Sequence, residues 1–138
     1  MFRLLIVALL AANTAWGSVG EITASTGPGQ IKRQSEKFDG NVGTGLEMQD
    51  TITTQNGAWQ LEFIDETRVD VTEHSRMVID EFIYDPETKT GALSMKATLG
   101  AVRYASGQIA KNSRQRVNIR TPSATISVRG TDFMMIVD

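Results

Sequence analysis

The segment Ala58-Trp59-Gln60-Leu61-Glu62-Phe63 alternates apolar and polar side chains with a period of two. Successive side chains of an extended strand point to opposite faces, so Trp59, Leu61 and Phe63 share one face. The same alternation recurs along the chain, whereas a period of 3.6 is almost absent. The other alternating segments are 69–71, 77–79, 93–99, 117–119 and 124–128. The sequence therefore predicts an all-β protein whose strands bury one face.

Residues that favour turns separate these segments at short intervals. The sharpest signal is Asn56-Gly57, which predicts a tight hairpin between 51–54 and the Trp59 strand, with both turn residues at positive φ. A helix is the alternative for segment 88–99, although its alternating apolar residues fit a strand better. Segment 133–137 is apolar on both faces and predicts a central strand covered on each side. Many short strands with tight turns indicate a compact β-roll or sandwich.

Length and composition exclude several classes of protein. The chain has 138 residues, 41% hydrophobic and 22% charged, which suits one globular domain. It contains no cysteine, which excludes disulfide-stapled miniproteins, zinc fingers, iron–sulfur proteins and thiol-nucleophile enzymes. A net charge of −2 and a pI near 5.4 argue against a nucleic-acid partner.

The first 17 residues have the pattern of a cleavable signal peptide. Arg3 precedes an apolar run over 4–12 that is too short to span a bilayer. Ala15 and Gly17 occupy the −3 and −1 positions of a cut before Ser18. A buried N-terminal strand or helix is the alternative. We expect a signal peptide over 1–17 and a single mature domain over 18–138, exported to the periplasm or beyond the cell, without a transmembrane helix.

Residues with catalytic potential are few. His74 is the only histidine and lies beside Glu73 in a polar segment, which indicates a surface side chain. No Gly-x-Ser-x-Gly sequence supplies a nucleophile. The acidic residues of 65–87 lack the spacing of a calcium loop or of a glycosidase pair, so Asp65-Glu66 and Asp80-Glu81 are interpreted as solvated strand ends. The sequence predicts no enzyme, no cofactor and no metal site.

A basic group and a glycine pair have simple structural interpretations. The basic residues are Lys111, Arg114, Arg116, Arg120 and Arg129. Without interleaved aromatic residues, a solvated outer face or ion pairing with the acidic segment 62–87 is favoured over phosphate binding. Gly43-Thr44-Gly45 lacks the ending of a phosphate loop and predicts a turn before Leu46.

Three stretches together carry a more specific pattern. They are Asp50-Thr51-Ile52-Thr53, then Gly57-Ala58 with Leu61-Glu62-Phe63-Ile64-Asp65, and finally Thr121-Pro122-Ser123-Ala124 with Arg129-Gly130-Thr131-Asp132-Phe133. The pattern resembles the FecR domain, the extracytoplasmic module of ferric-citrate-regulator-type proteins, over residues 19–137. Two departures alter turn residues: Gln49 stands where the family commonly has glycine, and Glu66-Thr67 replaces Gly-Ser.

The resemblance implies a stand-alone, exported, non-enzymatic protein-interaction module in envelope signalling or scaffolding, with an unidentified protein partner. Regulators of this type carry a sigma-factor-binding segment and a transmembrane helix ahead of the domain, and here only the signal-like segment precedes it. The alternative is a structural component of a surface or virion assembly. A carbohydrate-binding role would need a row of exposed aromatic residues, and the chain has only 2 Trp and 2 Tyr. The oligomeric state stays open.

The closing motif has a physical interpretation of its own. Pro122 fixes φ and biases Thr121 to extended geometry, which suits a strand end at a sheet edge. Gly130 allows a bulge or a close backbone approach, so that Arg129 can hydrogen-bond turn carbonyls. We therefore expect a structural motif, whose residues are Thr121, Pro122, Arg129, Gly130, Thr131 and Phe133.

Overall fold

The computed structural model describes residues 18–113, 116–128 and 132–137. This part of the chain contains twelve strands and one short helix. The strands are β1 (Ser18–Ser25), β2 (Gly29–Arg33), β3 (Glu36–Asp39), β4 (Gly45–Glu47), β5 (Thr51–Thr54), β6 (Trp59–Phe63), β7 (Arg68–Val71), β8 (Arg76–Asp85), β9 (Thr90–Ala105), β10 (Val117–Arg120), β11 (Thr125–Val128) and β12 (Phe133–Val137). The helix α1 (Gln108–Asn112) follows β9. The predicted all-β class is confirmed.

The strands form one curled sheet with two halves that share β9. In the β8 half the order is β3-β2-β5-β8-β9, followed by β10 and β11. In the β6 half the order is β4-β1-β6-β7-β9-β12. All pairings are antiparallel except that of β10 with β9. The strand β9 belongs to both halves. Its first part pairs with β8 and β10, and its last part pairs with β7 and β12.

The strand β9 passes from one half to the other at Gly100. This glycine has φ of +86°, and a Cβ built on it would lie 2.1 Å from the Ser75 Oγ. Ser75 is fully buried. Its hydroxyl accepts a hydrogen bond from the Ala101 N–H at 3.1 Å, and its own N–H donates to the Thr54 Oγ1 at 3.0 Å. A left-handed backbone conformation and a close approach together require glycine here.

The core lies between the two halves. Trp59, Leu61 and Phe63 of β6 are buried, and so are the predicted inward residues of β7, β8 and β10, namely Val69, Val71, Met77, Ile79, Val117 and Ile119. The Phe63 ring stacks on Phe82 of β8 with centroids 5.3 Å apart. The predicted faces of these strands are confirmed, and the strand interpretation of 93–99 is also correct because the segment lies within β9.

The hairpin predicted at Asn56-Gly57 is wrong. β5 pairs with β2 and β8, whereas β6 pairs with β1 and β7, so the chain crosses from one half to the other here. Neither residue has positive φ. Gly57 instead allows close backbone packing, since a Cβ there would lie 2.3 Å from the Gly27 Cα.

Two predicted burial patterns near the end of the chain are also wrong. Ala124 and the first three residues of β11 are exposed on both faces, because β11 pairs with β10 alone among the described strands. The strand β12 is not central, since its only described neighbour is β9. Met135 is buried, but Ile136 is 71% and Met134 47% exposed.

The helix α1 was not anticipated from the sequence. Its five residues are too few to show a helical period, and Ile109 and Ala110 are the ones it buries. Among the residues in the ranges given above, no helix has both the length and the apolar character that membrane spanning requires.

Candidate interaction surface

The aspartate of the first family-like stretch anchors three strands. Asp50 is fully buried and receives the Arg33 guanidinium in a bidentate pair, with Nε to Oδ1 at 2.9 Å and Nη2 to Oδ2 at 2.8 Å. The Glu47 N–H also donates to Oδ2 at 2.8 Å. The other guanidinium contacts are Nη2 to the Gly45 carbonyl at 3.1 Å and Nη1 to the Glu47 carboxylate at 3.0 Å. This cluster ties β2 to β4 and β5.

The environment of Arg33 stabilises its charged form. Its pKa is raised mainly by the hydrogen bond to Asp50, against a lowering by desolvation. The guanidinium carbon also lies 5.0 Å from the centre of the Phe38 ring. A bidentate pair of this kind, with the carboxylate fully buried, is a structural clamp between the strands that carry its two partners.

A second buried carboxylate, Asp65, fastens α1 to the sheet. Its Oδ2 accepts hydrogen bonds from the Thr67 Oγ1 at 2.8 Å and from the Ile109 N–H at 3.1 Å. Its Oδ1 accepts one from the Thr67 N–H at 3.1 Å. The interpretation of Asp65 as a solvated strand end is therefore wrong, since the helix that buries it was not predicted. Glu66 beside it is exposed, as expected.

The two departures from the FecR pattern lie at backbone positions that favour glycine. Gln49 has φ of 72° and Glu66 has φ of 74°. Side chains at positive φ crowd the backbone, and glycine avoids this cost. Each residue gains one hydrogen bond in return: Gln49 Nε2 donates to the Asp80 carbonyl at 2.6 Å, and the Glu66 carboxylate accepts from Gln108 Nε2 at 2.9 Å.

The burial of Tyr104 was not part of the sequence prediction. Tyr104 of β9 is fully buried beside Asp65, and burial is the main cause that raises the pKa of Tyr104 to about 12. A phenol held neutral at physiological pH contributes no charge to the core. Tyr104 is part of the hydrophobic core of the sheet.

The remaining sequence candidates are scattered. His74 is exposed, as predicted, in a turn with φ of 53°. Arg120 forms an ion pair with Asp80 at 2.7 Å, which confirms the predicted pairing for one basic residue. Arg116 and Lys111 are exposed. Arg114 and Arg129 lie outside the described residues. Within the described ranges, no group of three or more histidine, aspartate or glutamate side chains could hold a metal ion.

The closing motif is described only at its two ends. Thr121 and the exposed Pro122 lie in the turn between β10 and β11, where the Thr121 N–H donates to the Ala124 carbonyl at 2.8 Å. Phe133 starts β12 opposite Tyr104. Arg129, Gly130 and Thr131 lie outside the described residues, so the structural role expected of the motif stays a prediction.

The strand β12 provides the most conspicuous open edge. All five of its residues pair with β9, and no other described strand lies on its far side. Its solvent-facing side chains, Met134 and Ile136, are apolar. An edge of this kind presents unpaired backbone donors and acceptors together with apolar surface.

A family model decides which fold family this arrangement represents. The model of the FecR protein family matches residues 50–138, which is more than half of the chain. The chain belongs to the FecR family. No curated protein and no solved structure matches the chain.

The FecR match covers β5 to β12, and the strands before it are integral to the same sheet. β1 pairs with β6 and β2 with β5, both of which lie within the matched range. FecR domains are regulatory and not enzymatic, and they are generally extracytoplasmic. The family therefore supports a signalling type of domain, in agreement with the prediction from the sequence.

Proposed function

We propose that this chain is an exported, non-enzymatic protein-interaction module of the FecR type, and that it binds its protein partner at the β12 edge. The observation that carries the proposal is the exposure of Ile136 and Met134 on a strand with one described neighbour. A partner segment in extended conformation adds a strand to such an edge by main-chain hydrogen bonds, while exposed apolar side chains supply contact area.

Envelope signalling or scaffolding is the role that the family supports for such a module. The alternative, a structural component of a surface or virion assembly, uses the same edge to join copies of the chain. Sedimentation velocity at increasing concentration separates the two roles, since a signalling module stays at one size and an assembly component grows.

The test of the docking edge compares wild type with Ile136→Lys in pull-downs from an envelope fraction. A lysine on an edge strand opposes strand addition by charge without entering the core. The matched control is Ile83→Lys, because Ile83 of β8 is 55% exposed and lies in the other half. We expect one protein to be retained by wild type and by Ile83→Lys and to be lost with Ile136→Lys. Equal retention by all three proteins contradicts a β12 edge site.

A further inference from the structure

A group of unpaired cations lies on the outer face of the β8 half, away from β12. Lys32 of β2, Lys37 of β3 and Arg76 of β8 line a pocket of about 420 Å³. Its polar lining is completed by Gln30, Thr51 and Thr53. A volume of this order lies in the range of small-ligand sites.

Strand register places these side chains on one face of the sheet. Lys32 stands opposite Lys37 on one side and opposite Thr51 on the other. Thr53 stands opposite Arg76. Residues directly opposite each other in a sheet have Cβ atoms about 4.5–5.5 Å apart. The three cations therefore lie within a patch four strands wide, and the exposed Lys96 of β9, opposite Val78, extends it.

The cations of this pocket form no ion pair with another described residue. The ion pairs of the described residues join Arg33 to Glu47 and Asp50, and Arg120 to Asp80, so Lys32, Lys37 and Arg76 have none. Like charges directly opposite on a sheet are destabilising. The next residue, Arg33, does form ion pairs. Successive side chains of a strand point to opposite faces, so Lys32 does not share the acidic partners of Arg33.

The chemistry of the lining selects an oxyanion. Lysine, arginine, threonine hydroxyl and glutamine amide groups donate hydrogen bonds, and charge-assisted bonds of this kind hold phosphate well. The lining contains no aromatic residue on which a neutral sugar or a base could stack. A phosphate monoester carries about −1.5 to −2 charge, which suits a pocket lined by three cations.

We propose that the pocket of Lys32, Lys37 and Arg76 binds a phosphate monoester, carried by a soluble ligand or by a lipid headgroup. The proposal does not depend on the β12 edge, which belongs to the other half. Lys32 and Lys37 stand directly opposite each other, and an anion bound between them relieves the repulsion of their like charges.

The test is an NMR titration with inorganic phosphate at constant ionic strength. We expect chemical-shift changes confined to β2, β3, β5 and β8, and a Kd that rises about ten-fold in Lys32→Gln and in Arg76→Gln, since each loses a charged hydrogen bond. The matched control is Arg103→Gln, an exposed arginine on β9 in the β6 half, whose Kd should equal that of wild type. Unchanged Kd values in the two pocket variants, or an equal rise in the control, overturn the proposal.

Two further measurements complete the test. In the absence of phosphate, Lys32→Gln should raise the thermal midpoint, because it removes the like-charge pair with Lys37. A lower midpoint would contradict repulsion between the two lysines.

Glycerol phosphate and phosphatidylcholine vesicles that contain phosphatidic acid distinguish a soluble phosphate ligand from a lipid headgroup. Binding to glycerol phosphate alone assigns a soluble ligand, whereas binding to the vesicles assigns a lipid. Binding to neither overturns the proposal.

Discussion

At the scale of single residues, the structure explains why this chain tolerates departures from its family's turn pattern. Glu66 occupies a left-handed backbone position, yet its carboxylate accepts a hydrogen bond from Gln108 on α1. The neighbouring Asp65 accepts three further bonds that hold the same turn. A turn fixed by so many contacts imposes a conformation that its residue type disfavours.

The backbone cost at Glu66 is measurable with two variants. Both Glu66→Gly and Glu66→Ala lose the bond to Gln108, but only the alanine retains a side chain at positive φ. The left-handed conformation costs about 1–2 kcal/mol, and the greater unfolded-state entropy of glycine offsets about 0.5–1 kcal/mol of it. We therefore expect Glu66→Gly to exceed Glu66→Ala in free energy of unfolding by about 0.5–1 kcal/mol in urea denaturation. Equal stability of the two variants would show that the position carries no strain.

At the scale of elements, the alternation of side chains predicted strands and inward faces correctly, whereas pairing partners escaped prediction. Which face of β6 is buried depends on local sequence, so Trp59 is assigned correctly. Whether Asn56-Gly57 closes a hairpin depends on where β5 and β6 find partners, and Gly57 serves a contact with Gly27 that is 30 residues distant in sequence. Burial of Asp65 escaped prediction for the same reason, because α1 creates it.

The bend of β9 is the element whose disruption should be most costly. Gly100→Ala introduces both a left-handed alanine and a contact with the buried Ser75, so we expect a loss of about 2–4 kcal/mol. The matched control is Gly43→Ala, because Gly43 has φ of +93° but no heavy atom within 4 Å of a built Cβ. Its expected loss is about 0.5–1 kcal/mol, as at Glu66. Urea denaturation of both variants measures the difference in free energy of unfolding. Equal losses would show that the contact with Ser75 adds nothing to the cost of Gly100→Ala.

At the scale of the whole molecule, composition and alternation predicted the all-β class and the family pattern identified the FecR family, but neither located an edge. The sequence of β12 is apolar on both faces, which is the pattern of a covered strand, and only its place in the sheet exposes Ile136. The pocket at Lys32 escaped prediction likewise, since its lining residues come from four strands and are joined only by register.

Export of the molecule is a separate prediction. If residues 1–17 act as a signal peptide, cleavage after Gly17 releases a chain that starts at Ser18, the first residue of β1. Mass spectrometry of protein purified from the periplasm or the medium should find Ser18 at the N-terminus. Intact protein starting at Met1 and confined to the cytoplasm would refute export.

The sharing of β9 between the two halves has a mechanical consequence. Among the described strands, β12 is hydrogen-bonded to β9 alone, so tension exerted on β12 by a bound partner enters the rest of the sheet through β9. Tension along the strand direction shears five residue pairs at once instead of unzipping them in turn. From there β9 passes the load to β7 over its last part and, beyond Gly100, to β8 over its first part. A pull at the β12 edge thereby reaches both halves of the sheet through one strand.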